Sequence, residues 1–279
     1  MKQKGPILSF CALCTLLQCR SAAGYVDPVF TDGFEPFACD VNVVAQPNTD
    51  IATEPGASGC ADGMVLVDTF CIDRYEAALI DDSAAGAPWS PYFNPGATTV
   101  HAISAANAIP QGYISQIQAG AACAAAGKRL CTDTEWLRAC RGPSIATYPY
   151  GNIDEPGVCN DYRAVNPITS LVGSFDASQL NNPCVNQQPQ TLDRAGVRSA
   201  CVSAEGVYDL MGNLFEWTAD PAGTFRGGDY VDTSLNGPGC LYTTTAHDVS
   251  HHDYSTGFRC CSDPPPMPMR IEAASPPGR

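Results

Sequence analysis

Asn213 and Glu216 set two side-chain oxygens within three residues of each other, inside the run Gly206-Val-Tyr-Asp-Leu-Met-Gly-Asn-Leu-Phe-Glu-Trp-Thr-Ala-Asp220. Together with free loop carbonyls, such a cluster of hard oxygens suits Ca²⁺, which takes six to eight oxygen ligands. The same spacing also fits an Asn in a Gly-Asn turn and a Glu bonded to nearby backbone. A second constellation is His247-Asp-Val-Ser-His-His-Asp253. On a helix, His247 and His251 would share a face. With Asp253 they would make the two-imidazole, one-carboxylate ligand set of non-haem Fe(II). A surface loop with imidazoles bonded to backbone or water is the plain alternative. No Gly-rich phosphate loop and no Gly-x-Ser-x-Gly elbow occurs.

The elements that must position these residues are short. Val207, Leu210, Met211, Leu214, Phe215 and Trp217 can feed a core. Met64–Val67 and Phe70–Tyr75 read as two strands. Ser115 with Gln118 forms a capping box opening a helix that runs to Gly127, a suitable residue past a helix end. Thr132 with Glu135 opens a second helix, which stops at Gly142-Pro143. From Cys159 to Cys201 the chain is Asn-, Pro- and Gln-rich and reads as irregular.

The whole chain has 279 residues, 44% of them hydrophobic and 16% charged, with a formal net charge of −14. That charge argues against nucleic acid and anionic membrane surfaces as partners. Residues 1–23 read as a signal peptide: Lys2 and Lys4, then an apolar run too short to span a bilayer, then Ser21-Ala-Ala23. Leu16-Leu-Gln-Cys19 is a weak lipobox, which leaves a lipid anchor as the alternative. An exported location follows: periplasmic, extracellular or surface-attached, with no membrane span in the mature chain. Residues 24–59 read as a linker, 60–262 as the folded domain and the Pro-rich 263–279 as a disordered tail. Twelve of the 15 cysteines lie beyond the signal, a number that reads as a disulfide framework.

The order of motifs resembles one known family. Gly127-Lys-Arg-Leu-Cys-Thr-Asp-Thr-Glu-Trp136 is similar to the G-K-R-L-P-T-E-A-E-W signature of the formylglycine-generating enzyme (sulfatase-modifying factor) family. Tyr148-Pro-Tyr-Gly-Asn152, Gly206 to Thr218, Arg226-Gly-Gly-Asp-Tyr230 and Gly257-Phe-Arg259 resemble four further motifs of that family, in the family's order. The resemblance implies an α+β, C-type-lectin-like fold, irregular and disulfide-stapled, with two short helices and short antiparallel strands. It implies structural calcium at Asn213 and Glu216, with carbonyls near Gly212 and Leu214, and a second calcium site beginning at Asn160. It implies the disulfides Cys123–Cys260 and Cys140–Cys240. Cys39, Cys60, Cys71, Cys131, Cys159, Cys184, Cys201 and Cys261 stay unassigned, with Cys184–Cys201 suggested by proximity alone.

One departure decides the expected function. The family's enzymes oxidise a substrate cysteine with O₂ and Cu(I) held by two thiolates, soft ligands that oxygen cannot replace. The matching positions here are Asp232 and Gly237, and the family's Ser after the double Gly is Asp229. A shifted alignment would bring Cys240 to the second thiolate position, still leaving one thiolate missing. No catalytic residue is therefore expected. The former cleft, with Trp217, Asp229, Tyr230, Asp232 and Tyr242, is expected to bind a peptide, glycan or cell-envelope protein. The alternative is an O₂-dependent oxidoreductase using iron or copper at His247, His251 and Asp253.

Overall fold

The computed structural model describes residues 37–264. The signal peptide and residues 265–279 of the expected tail lie outside the described residues. Three small sheets and two principal helices surround the Gly206–Asp220 run. Strands β1 (Met64–Val67) and β2 (Phe70–Asp73) form a hairpin. The first sheet continues through β11 (Cys260–Ser262) to β6 (Arg129–Leu130). The second sheet is β3 (Ala77–Asp81) between β4 (Ala87–Pro88) and β5 (Val100–Ser104). The third has the order β10 (Thr256–Phe258), β7 (Phe215–Trp217), β8 (Phe225–Arg226), β9 (Thr243–Thr244). All pairings are antiparallel except β7 with β10, a parallel pair that the expectation of antiparallel strands did not include.

Helix α1 (Gln116–Ala125) begins on the Ser115–Gln118 capping box, and α2 (Asp133–Arg141) on the Thr132–Glu135 box. In each, the cap hydroxyl accepts an orphan backbone N–H while the side chain three residues on returns to the cap's own amide. Asp133 and Glu135 at the start of α2, with Arg138 and Arg141 at its end, complement the helix dipole. A third helix, α3 (Pro167–Val172), lies in the region expected to be irregular. Its signals are Asn166, whose side chain accepts from Ile168 and Thr169 amides, and Pro167 in the first turn.

The core has two main parts. Trp217, Phe225 and Phe258 pack with β3, β5 and the buried face of α1. Trp136 packs with β1, β2, Val207 and Leu210. Six disulfides staple the shell: Cys39–Cys184, Cys60–Cys71, Cys123–Cys260, Cys131–Cys261, Cys140–Cys240 and Cys159–Cys201. Proximity misled for Cys184 and Cys201. Val185, next to Cys184, folds into the aromatic cluster around Tyr113 and Tyr230, whereas Cys201 packs with Cys159 under Met211. The adjacent Cys260 and Cys261 point to opposite sides of β11, so one strand clamps both α1 and the segment leading into α2. Of the stretch read as linker, residues 37–59 have no regular elements, yet Cys39 and Asn48 tie them to the rest.

Candidate functional site

Gly212 sets the geometry at the centre. Its φ of +75° lies in the left-handed region, and a Cβ there would run into the Asn160 carbonyl. That close approach lets the Asn213 amide donate to Asn160 O at 2.8 Å. Asn213 is itself left-handed, at φ +63°, and buried. Its Oδ1 accepts from the Asp193 amide (2.9 Å) and from Asn160 Nδ2 (3.0 Å). Its Nδ2 donates to Glu76 Oε2 at 2.5 Å. The backbone donor at Asp193 fixes which end of the amide is oxygen.

The parallel pairing of β7 with β10 brings Glu216 beside Arg259, the single residue between β10 and β11. Arg259 Nε donates to Glu216 Oε2 and Nη2 to Oε1, each at 2.6 Å, and Trp136 Nε1 adds a third bond to Oε2 at 2.7 Å. The other guanidinium bonds run to the carbonyls of Tyr208, Asp73 and Arg74. Glu76 and Asp209 lie close by and are also buried. Burial pushes the Glu76 carboxyl well above its usual range, helped by the charges of Glu216 and Asp209. Burial likewise raises Asp209, to about 7. The sequence carried a signal for Asp209 and Arg259 through the motifs that hold them, but none for Asp193.

Asn213 and Glu216 do not fit calcium as expected. Asn213 Oδ1 already accepts two hydrogen bonds, and both Glu216 oxygens serve Arg259 and Trp136. Asn160 donates through Nδ2 to Thr191 O and Asn213 Oδ1, and Asp193 is held by Arg198 at 2.5 Å.

The iron reading fails on geometry as well. Residues 247–253 form turns, not a helix. The His247 and His251 rings stack face to face, 3.9 Å between centroids and 10° between planes. Lone pairs of parallel rings run side by side instead of meeting at one point. Asp253 is buried, accepts from Ser255 through its amide (2.8 Å) and hydroxyl (2.6 Å), and lies 3.0 Å from His251 Nε2. Burial raises its pKa, but the bonds from His251 and Ser255 outweigh that and hold it below the usual value. Burial and the neighbouring His251 lower His247. Among the described residues, no three His, Cys, Asp or Glu side chains converge as a metal site requires.

Asp232, at the first thiolate position, caps its own loop, accepting from the amides of Ser234 and Leu235 and the Ser234 hydroxyl. Gly237, at the second, has φ +114°, and a Cβ there would lie 2.8 Å from Leu241 O. A cysteine would need a different loop. Cys240 is bonded to Cys140, so it is not a free thiolate either.

The expected cleft is filled. Trp217 is fully buried and donates to Ile114 O; Tyr230 is fully buried and donates to Asn186 Oδ1; Tyr242 is 2% exposed. Asp229 is buried and accepts from the amides of Val231 and Asp232, with its carboxyl pushed by burial to about 7. These side chains are core, because Phe215, Phe225 and Tyr254 pack against them.

A model described as "Sulfatase-modifying factor enzyme 1-like domain" matches residues 41–264. The chain is 32% identical over 165 residues to the mouse (Mus musculus) protein "Inactive C-alpha-formylglycine-generating enzyme 2", covering 55% of this chain and 49% of the relative. It is 27% identical over 200 residues to the mouse "Formylglycine-generating enzyme", covering 64% and 50%. The chain thus spans about half the length of these two curated relatives. Among solved structures, PvdO from Pseudomonas aeruginosa is similar at 17% identity and a TM-score of 0.44, over 70% of this chain and 80% of that one.

Proposed function

The chain belongs to the sulfatase-modifying factor enzyme 1-like domain family, and from that premise we propose that it is an exported member without formylglycine-generating activity, acting by binding a peptide, glycan or cell-envelope partner. One observation carries the reading. All twelve cysteines among the described residues are in disulfides, and the two positions that should supply copper thiolates hold a loop-capping carboxylate and a glycine with no room for a side chain. Oxygen donors at Asp232 do not replace a soft sulfur pair for Cu(I). A relative named as inactive and one named as a formylglycine-generating enzyme both match this chain, so the thiolate positions are what separate the two possibilities.

Six disulfides in about 230 residues support an oxidising compartment. No helix among the described residues is long and apolar enough to cross a membrane. With Trp217, Tyr230 and Tyr242 packed inside, these three aromatics offer a partner no surface. The test is direct. The purified protein, loaded with Cu(I) under O₂, is incubated with a sulfatase-motif peptide, and the peptide mass is followed. An unchanged thiol is expected. Conversion of that thiol to an aldehyde overturns the proposal.

A further inference from the structure

A cavity of about 460 Å³ opens in the irregular region, walled by Asn160, Tyr162, Arg163, Gln190, Asp193 and Arg198. That volume falls at the size of a small-molecule site. In a chain of net charge −14, two guanidiniums share this wall. Arg198 is matched by Asp193, with Nε 2.5 Å from Oδ2, while Nη1 donates to Gly157 O. Arg163 has no carboxylate partner among the described residues. Its bonds run to neutral acceptors: the carbonyls of Val165, Pro189 and Gln190, and the Ser170 hydroxyl. Partial burial without a counter-charge lowers its pKa.

The donor count leaves room for a ligand. A guanidinium has five N–H groups in a fixed fork suited to oxyanions. Arg163 spends four, and Arg198 leaves its Nη2 pair unspent. Tyr162, 75% exposed, offers a ring face at the rim. Gln190 adds an amide, and Asn160, whose Nδ2 is already bonded to Thr191 O and Asn213 Oδ1, adds its side-chain oxygen.

The frame is rigid. Cys159, adjacent to Asn160, is bonded to Cys201, whose amide donates to Arg198 O at 2.8 Å. Asn160 and the Asp193 amide are both tied to Asn213 Oδ1 in the interior. Gln190 sits at φ +61°, a left-handed conformation that turns its carbonyl onto Arg163 Nη1. Strained backbone of this kind collects at ligand clamps.

We propose that this cavity binds a sugar ring bearing an oxyanion, with the acid group between Arg163 and Arg198 and the ring against Tyr162. A sugar fits better than a peptide for two reasons. The wall mixes polar and apolar surface, every lining side chain but Ala164 carries a polar group, and an exposed aromatic face with polar groups around it matches hydroxyls and ring C–H groups. No strand contributes to it, so an extended peptide finds no sheet edge to pair with. The proposal rests on reading the domain as a binding module. It deepens that reading by giving the partner surface a place and a chemistry.

The probes are glucuronate, glucose 6-sulfate, glucose and a glutamate-rich peptide, titrated into the intact exported protein by calorimetry and ligand-observed NMR. Binding of one or both sugar anions is expected, and the ratio between them separates a carboxylate from a sulfate ligand. Glucose is expected to bind roughly ten-fold more weakly or worse, the loss of one charge-assisted contact. Arg163→Met and Tyr162→Ala should each weaken the anion by about ten-fold. Tyr162 is exposed, so Tyr162→Ala keeps its melting temperature and serves where Arg163→Met fails to fold. Equal binding of charged and neutral sugars, no binding at all, unchanged binding in Tyr162→Ala, or preference for the acidic peptide overturns the assignment. Failure here leaves the aldehyde assay unaffected, and a positive aldehyde assay would sink the parent reading without touching the titration.

Discussion

Glu216 and Arg259 form a bidentate ion pair at 2.6 Å with each side chain 1% exposed, 43 residues apart in sequence. Removing one member strands the other as an uncompensated buried charge, which costs about 3–5 kcal/mol. Arg259→Met also frees the carbonyls of Asp73, Arg74 and Tyr208 and leaves Trp136 bonded to a repelled carboxylate. The expected result is a loss at the upper end of that range, read as a lower urea midpoint with an unchanged slope. The double variant Glu216→Leu with Arg259→Met should recover part of the loss. A single variant within about 0.5 kcal/mol of the parent would mean the pair is not holding β7 to β10.

Much of this arrangement was legible in the chain. Both capping boxes appear as helix starts, and the β1–β2 hairpin falls where the apolar runs place it. Local signals act over a few residues, so they survive without tertiary information. The functional inferences from spacing fared worse. Asn213 and Glu216 look like free oxygen ligands until Arg259, Trp136 and the Asp193 amide arrive from distant parts of the chain to claim them. Trp217, Tyr230 and Tyr242 look like a binding surface because aromatics suit both surfaces and cores, and only packing separates the two. Arg163 drew no notice, since a lone arginine in a Pro- and Asn-rich stretch carries no pattern; its unmatched charge is visible only once the cavity is closed around it.

The buried acids make stability depend on pH. Asp229 is held at about 7 against 3.8 for the free side chain, chiefly by burial, and Asp209 likewise at about 7. A folded-state pKa above the unfolded value means the folded state binds the proton more tightly. The associated stability is complete below pH 3.8 and is lost as pH rises through 7. Three pKa units correspond to about 4 kcal/mol for Asp229. His247 and His252, both lowered mainly by burial, pull the other way as pH falls below 6.5. Comparison with Asp229→Asn isolates the acid, because an amide oxygen can still accept from Val231 and Asp232. Urea midpoints between pH 5 and pH 8.5 should fall more steeply with rising pH in the parent than in the variant. Parallel curves would mean Asp229 is ionised throughout that range.

Asn48 joins the segment before the first strand to the fold. It is 1% exposed; its Nδ2 donates to Ile109 O and its Oδ1 accepts the Ile109 amide, both at 2.8 Å. A side-chain amide thus stands in for the missing neighbour strand, satisfying both backbone groups of one buried residue. Asn48→Ala leaves those two groups without partners, at a cost of about 2–4 kcal/mol. Cys39–Cys184 reinforces the same attachment by closing a separation of 145 residues, which the chain-entropy account values at roughly 5 kcal/mol. A chain begun at residue 60 loses both, and is expected to melt well below one begun at residue 38. The Cys39→Ser, Cys184→Ser pair should fall between them, with faster protease cleavage at the exposed Val41, Val43 and Val44. Equal melting of the two lengths would show that residues 38–59 lie on the domain without stabilising it, as a boundary at residue 60 requires.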